Sequence, residues 1–154
     1  MRCTRCASRR PPRRGAALVE GAIVLGIYLF LLAGMLDMGL AVLHYNTASE
    51  AARRLARSAV VRGEEASPEM GAWGTGNYVG RADDGSPQAL AVQPILGPVR
   101  PDRVALQLEW PDSGNALEDR VRATVTITYR PVLTLVFGGA PFTLTARSTM
   151  NIAH

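Results

Sequence analysis

Residues 16–43 form an apolar segment that is long enough to cross a membrane. The segment contains only two charged residues, Glu20 and Asp37, which are separated by 16 uncharged residues. A helix rising about 1.5 Å per residue places these two acids about 26 Å apart, close to the hydrocarbon thickness of about 30 Å. Because the segment is apolar on every side and the 154-residue chain is too short to bury it, we predict a single transmembrane helix.

The arginines predict the orientation of this helix. Residues 1–15 contain no acid and are expected to form a basic cytoplasmic leader, because positively charged flanks stay in the cytoplasm. Residues 15–154 carry 11 basic and 13 acidic groups, a formal charge of −2, which argues against a folded nucleic-acid-binding domain. The C-terminus is expected to be periplasmic or extracellular. Six arginines precede the apolar segment: Arg2, Arg5, Arg9, Arg10, Arg13 and Arg14.

Residues 44–62 contain neither proline nor glycine and are predicted to extend the same helix beyond the membrane. Small or apolar residues recur there at helical spacing, and Glu50 stands four residues before Arg54, the favourable order for an ion pair. Gly63 is the predicted C-terminal cap of a helix that runs from about residue 16 to residue 62. The predicted apolar stripe consists of Ala48, Ala52, Leu55 and Ala59.

Residues 63–154 predict a loop-rich extracytoplasmic β domain. Seven glycines and five prolines lie in residues 63–102, which favours a long loop with a short strand near Leu90–Leu96. Apolar and polar residues alternate in 103–110, 121–130 and 142–152, which predicts three half-buried antiparallel strands. Because the apolar face of such a sheet needs a cover, we expect the alanine stripe to supply it. The predicted fold class is α+β.

The sequence offers little material for catalysis or for binding a metal. Cys3 and Cys6 form a C-x-x-C pair in the leader, but a structural zinc site needs two further ligands. The two histidines, His44 and His154, are not accompanied by a recognisable nucleophile and acid. We therefore expect no enzymatic activity, no cofactor, no metal and no small-molecule substrate. The pattern assigns no role to the two cysteines.

The start of the apolar segment resembles the processing site of type IV pilins and pseudopilins, in which a basic leader ends in glycine and glutamate is the fifth mature residue. Here the corresponding residues are Gly15 and Glu20. More closely, the chain resembles the TadE/TadG-like family of the tight-adherence (Flp-type) pilus system. The resemblance also rests on Asp37, on the Ala-Ala-Arg-x-x-Ala-Arg pattern within 46–57, and on residues 143–150. Members commonly carry an aromatic residue where this chain has Gly21.

The resemblance implies a pilin-like fold and a structural role as a TadE-like minor pilin or pseudopilin. Such a protein takes part in assembly of a tight-adherence pilus or a related secretion apparatus at the bacterial inner membrane. A prepilin peptidase would cut between Gly15 and Ala16, and the other partners would be pilin or pseudopilin subunits and tight-adherence assembly proteins. The alternative is an uncleaved single-pass membrane scaffold of an envelope complex.

Two acids are the candidate assembly residues. Ala16 and Glu20 stand four residues apart on one helix face, so an amine freed at Ala16, in the same chain or a neighbour, can offset the carboxylate's cost in lipid of about 2.5–3.5 kcal/mol. In the alternative, Glu20 only reaches the cytoplasmic interface. Asp37 is interpreted as an acid at the outer membrane boundary in contact with water, or as a contact to a partner helix.

The arginine distribution makes the topology testable. A phosphatase fused to the C-terminus should be active in the periplasm, because the arginine excess precedes the helix. Inactive phosphatase, combined with fluorescence of a cytoplasmic reporter fused at the same position, would show that the C-terminus lies in the cytoplasm and that the predicted orientation is wrong.

Overall fold

The computed structural model describes residues 14–97, 99–133 and 139–153. The chain folds into a long helix followed by a small antiparallel sheet, which confirms the α+β class. It divides into two units, residues 1–36 and 37–154, and the long helix contributes residues to both. In chain order the elements are α1 (Arg14–Val60), β1 (Tyr78–Arg81), α2 (Pro87–Val92), β2 (Val104–Glu109), β3 (Arg120–Tyr129) and β4 (Phe142–Asn151), with short 3-10 turns at Gln93–Ile95 and Pro101–Arg103.

In the first unit, every described residue is helical. Its large apolar side chains are exposed, from 39% at Leu32 to 76% at Met35. Within the described part of the chain, one helix, Gly15–Val60, is long and apolar enough to cross a membrane by length and composition. This helix fits a single-pass membrane protein, because lipid can surround apolar side chains that the protein leaves uncovered.

In the second unit, α1 buries one face composed mainly of alanine. The predicted stripe of Ala48, Ala52, Leu55 and Ala59 is at most 1% exposed, and Ala51 and Ala56 widen it. Alanine suits this face because it favours the helix and its short side chain lets a neighbouring element approach closely. α1 ends at Val60, two residues before the predicted end, in a turn closed by a bond from Arg62 N to Ala59 O.

The four strands form an antiparallel sheet in the order β1-β2-β3-β4. The three alternating sequence runs are confirmed as β2, β3 and β4, and the register places Leu106 beside Val125 and Val125 beside Ala146. Seven buried apolar residues of β2 and β3 belong to one core cluster with the alanine face of α1. These strand residues are Val104, Leu106, Leu108, Val121, Ala123, Val125 and Ile127.

The prediction of a strand near Leu90–Leu96 is wrong, because this segment forms the end of α2 and the following 3-10 turn. Ser86 caps α2 by accepting a hydrogen bond from Ala89 N at 3.1 Å, and Pro87 occupies the first turn. Ala89 and Val92, three residues apart, are both fully buried, as helical spacing requires.

A strand that the sequence did not predict, β1, makes the sheet four-stranded rather than three-stranded. It has only four residues and pairs with β2 from Tyr78 opposite Leu108 to Arg81 opposite Ala105. Four residues flanked by glycines are too few for the alternation of apolar and polar side chains to predict a strand.

Glu50 pairs with Arg53 at 3.1 Å, not with Arg54 as predicted. Both side chains of the pair are more than half exposed, so it adds little stability. One further prediction lies outside the described residues, namely residues 1–13 of the leader, with Cys3 and Cys6.

Candidate functional site

The predicted processing residues lie in the first turn of α1. Gly15 and Ala16 are helical and exposed. A Cβ atom added at Gly15 would have no neighbour within 4 Å among the described residues, so packing against these residues does not require glycine at this position. A requirement for a small residue at Gly15 would then have another origin than packing against the described part of the chain.

Glu20 follows Ala16 by four residues and lies on the same face of α1. Its side chain is exposed and, within the described residues, makes no hydrogen bond or ion pair. The residues around it, such as Val19 and Ile23, are apolar and about 60% exposed. The carboxylate is therefore available to a cation from another molecule, on a surface that otherwise suits lipid.

Asp37 lies in the second unit and is buried, with only 4% of its surface exposed. Its Oδ1 atom accepts hydrogen bonds from the Tyr129 hydroxyl and from Val132 N, both at 2.8 Å, and its Oδ2 atom accepts one from Leu133 N at 2.7 Å. The interpretation of Asp37 as an acid in contact with water is therefore wrong. The chain leaving β3 turns back over α1, and its backbone N–H groups take the place of water.

Tyr129 is the centre of an aromatic group beside this carboxylate. Its ring centroid is 5.1 Å from those of both His44 and Phe142. Burial, together with the hydrogen bond to Asp37, raises the pKa of Tyr129 to about 12, so its hydroxyl remains a donor at neutral pH. His44 Nδ1 donates to the Leu40 carbonyl at 2.7 Å within α1.

We call Asp37, Tyr129, Val132 and Leu133 the Asp37 joint. It connects α1 to the start of the segment between β3 and β4. Sequence reasoning singled out Asp37 but missed Tyr129, which appeared only as the last apolar residue of an alternating run. The two residues are 92 positions apart in sequence, so no local signal shows that they meet.

The described residues contain no group of three or more histidine, cysteine, aspartate or glutamate side chains placed to hold a metal ion. Their arrangement defines an α+β protein with one candidate membrane span and a small sheet domain.

The family comparison agrees with this arrangement. Residues 15–57 match the family model described as TadE-like protein. Residues 15–57 are therefore similar to the TadE-like family, which confirms over this segment the resemblance drawn from the sequence. It includes Gly15, Ala16, Glu20 and Asp37 and ends before the sheet begins. No curated protein and no solved structure matches the chain.

The Asp37 joint predicts an order of stabilities. Tyr129→Phe should destabilise the second unit by about 1–2 kcal/mol, because it removes one hydrogen bond to a charged acceptor. Asp37→Ala should destabilise it more, because it leaves two backbone N–H groups without their acceptor and leaves the Tyr129 hydroxyl only the Asp37 backbone carbonyl, at 3.2 Å. Asp37→Asn should fall between them, because one oxygen remains. Thermal unfolding of the full-length protein in detergent measures these differences.

Tyr45→Phe is the matched control, since Tyr45 lies on the same helix and is 50% exposed. Its unfolding temperature should equal that of the wild type. Equal unfolding temperatures for Tyr45→Phe, Tyr129→Phe and Asp37→Ala would show that the joint does not stabilise the fold.

Proposed function

We propose that this chain is a TadE-like minor pilin or pseudopilin, a structural component in the assembly of a tight-adherence (Flp, type IV-like) pilus or a related secretion apparatus. The observation that carries the proposal is the isolated carboxylate of Glu20, one turn after Gly15–Ala16, on an exposed apolar helix within the TadE-like match. The role is structural rather than catalytic, and its partners are a prepilin peptidase, pilin or pseudopilin subunits and tight-adherence assembly proteins.

Charge neutralisation in lipid would be the physical basis of assembly. Cutting after Gly15 gives Ala16 a free ammonium group, which can pair with Glu20 of an adjacent subunit. An isolated carboxylate costs about 2.5–3.5 kcal/mol in the apolar part of a bilayer, and the low dielectric strengthens its attraction to a cation. The pair would therefore fix the axial register of neighbouring helices.

The same proposal places each segment of the chain relative to the inner membrane. Residues 1–15 are the cytoplasmic leader, 16–43 cross the membrane, 44–62 extend the helix, and 63–154 form the extracytoplasmic domain. Asp37 would contribute to assembly indirectly, because both of its carboxylate oxygens already accept hydrogen bonds from the chain's own Tyr129, Val132 and Leu133.

Processing is the first test of this proposal. Co-expression with a prepilin peptidase should remove the first 15 residues of the chain, Met1 to Gly15. Gly15→Ala should be cut nearly normally and Gly15→Leu should not be cut, if the enzyme needs a small residue there. Intact-mass measurement gives the length directly.

Gly26→Leu is the matched control, because an added Cβ at Gly26 also has no neighbour within 4 Å, yet the site lies outside the cleavage motif. This variant should be cut like the wild type. A full-length chain in the presence of active peptidase would favour the uncleaved single-pass scaffold.

Glu20 provides the sharper test. Glu20→Ala should insert into the membrane as well as the wild type or better, because it removes a cost of about 2.5–3.5 kcal/mol. The same variant should lose pilus assembly while its expression and processing persist. Glu20→Gln should behave like Glu20→Ala, since it keeps the shape without the charge, and Glu20→Asp should retain part of the function. The readout is pilus formation or surface attachment in a strain that lacks the native copy.

Two controls separate the position from the charge. Val24→Ala truncates an exposed side chain one turn further along α1, and Glu118→Gln removes an exposed carboxylate of the second unit. Both variants should assemble. Wild-type assembly by Glu20→Ala and Glu20→Gln would exclude the register role and favour the scaffold.

A further inference from the structure

Arginines of α1 and of the turn after it line an open groove of about 540 Å³ in the second unit. We call it the arginine groove. Two exposed apolar side chains, Val61 and Met70, also line it and are 42% and 48% exposed. Its four arginines, of which only Arg62 is half-buried, are Arg53, Arg54, Arg57 and Arg62.

The arginine groove carries an excess of positive charge. Glu50 is its one acidic lining residue and pairs with Arg53 at 3.1 Å. Arg62 lies over the Trp73 ring, with Cζ 4.8 Å from the ring centroid. Within the residues that the structure describes, Arg54 and Arg57 form no ion pair. Two exposed guanidinium groups are therefore free to bind carboxylates from another molecule.

A segment of opposite charge adjoins this groove. Residues 64–69, which we call the acidic turn, contain three exposed glutamates and no basic residue. Its backbone is held by bonds such as Glu64 N to Asn115 O and Ala66 N to Gly63 O, at 3.0 and 3.1 Å. The glutamates are Glu64, Glu65 and Glu69, and among the described residues none of them forms an ion pair.

The groove and the turn are neighbours on the surface. Val61 and Met70 line the arginine groove, and the same two residues line a smaller depression together with Glu65. When one surface holds two complementary patches side by side, a two-fold axis can place each patch against the other patch of a second copy. Both contacts then form at once.

We propose that the arginine groove binds the acidic turn of a second copy of this chain. Arginine and carboxylate groups form directional, charge-assisted pairs, and burial of Val61 and Met70 adds an apolar contact. Complementary charge also fixes the orientation of the two copies. This contact requires neither cleavage at Gly15 nor a pair involving Glu20, so it can stand or fall separately from the proposed function.

Charge reversal tests both sides of the contact. We compare two double variants of the full-length protein in detergent, Arg54→Glu with Arg57→Glu and Glu65→Arg with Glu69→Arg. In each variant the dissociation constant for self-association should rise at least about tenfold, because like charges then face each other. An equimolar mixture of the two should regain wild-type association, because every reversed groove meets a reversed turn. Sedimentation at several concentrations measures the association.

Arg147→Glu is the matched control, since Arg147 is exposed on β4 and does not line the groove. It should associate like the wild type. The proposal is overturned if the wild type is monomeric throughout, if neither double variant weakens association, or if the mixture associates no better than its components.

The absence of lysine from the sequence permits a second measurement that keeps all charges. Arg57→Lys places a single ε-amine in the groove, which a carbodiimide can couple directly to a carboxylate in contact with it. Chains with and without ¹⁵N, mixed before coupling, distinguish links between two copies from links within one. We expect a covalent dimer joined to Glu64, Glu65 or Glu69, and no such dimer from Arg147→Lys. Links found only within one chain, or only to acids outside the acidic turn, would overturn the proposal.

Discussion

The second unit depends on contact between the alanine face of α1 and the apolar face of the sheet. A sheet of four strands exposes its apolar side unless another layer covers it, and here Ala48 to Ala59 provide the main cover. Alanine contributes little apolar area itself, so the branched side chains of β2 and β3, such as Leu106 and Ile127, supply most of what is buried. The small residues of α1 and the large residues of the strands are buried together in one core cluster.

Asp37 stands where the second unit begins and shows how a charge is kept in an apolar helix. A buried carboxylate is costly unless several donors satisfy it, and here a phenol and two consecutive backbone N–H groups do so. Those two N–H groups follow Pro131, which has none, so the chain presents its first free donors directly to the acid. One interaction thus satisfies the carboxylate and directs the path of the chain after β3.

Local patterns predicted the parts of the fold that repeat over many residues. The first part of the helix was predictable because its apolar run is long enough to cross a membrane. Its outer part and the three strands were predictable because each keeps one period for six residues or more. The segment now seen as α2 was misread because its apolar residues form a short run without clear periodicity, although Ser86-Pro87 is a helix-start signal that could have corrected the assignment. The contact of Asp37 with Tyr129 could not be predicted, because it joins residues 92 positions apart in sequence. The groove could not be predicted either, because it depends on how residues beyond α1, such as Met70 and Ile95, pack beside the helix.

The two proposed contacts use the same chemistry, a carboxylate with a cation, in two different solvents. Under the proposed placement, Glu20 lies in the lipid-covered part of α1. Little water screens the charges there, so a single ion pair contributes a large free energy. The arginine groove lies in water, where a single exposed ion pair contributes about 0–1 kcal/mol and salt screens it further. A stable contact there must therefore combine several charges with apolar area, and Arg54, Arg57, Val61 and Met70 together provide that combination. A single substitution should accordingly matter more at Glu20 than at any one position of the groove.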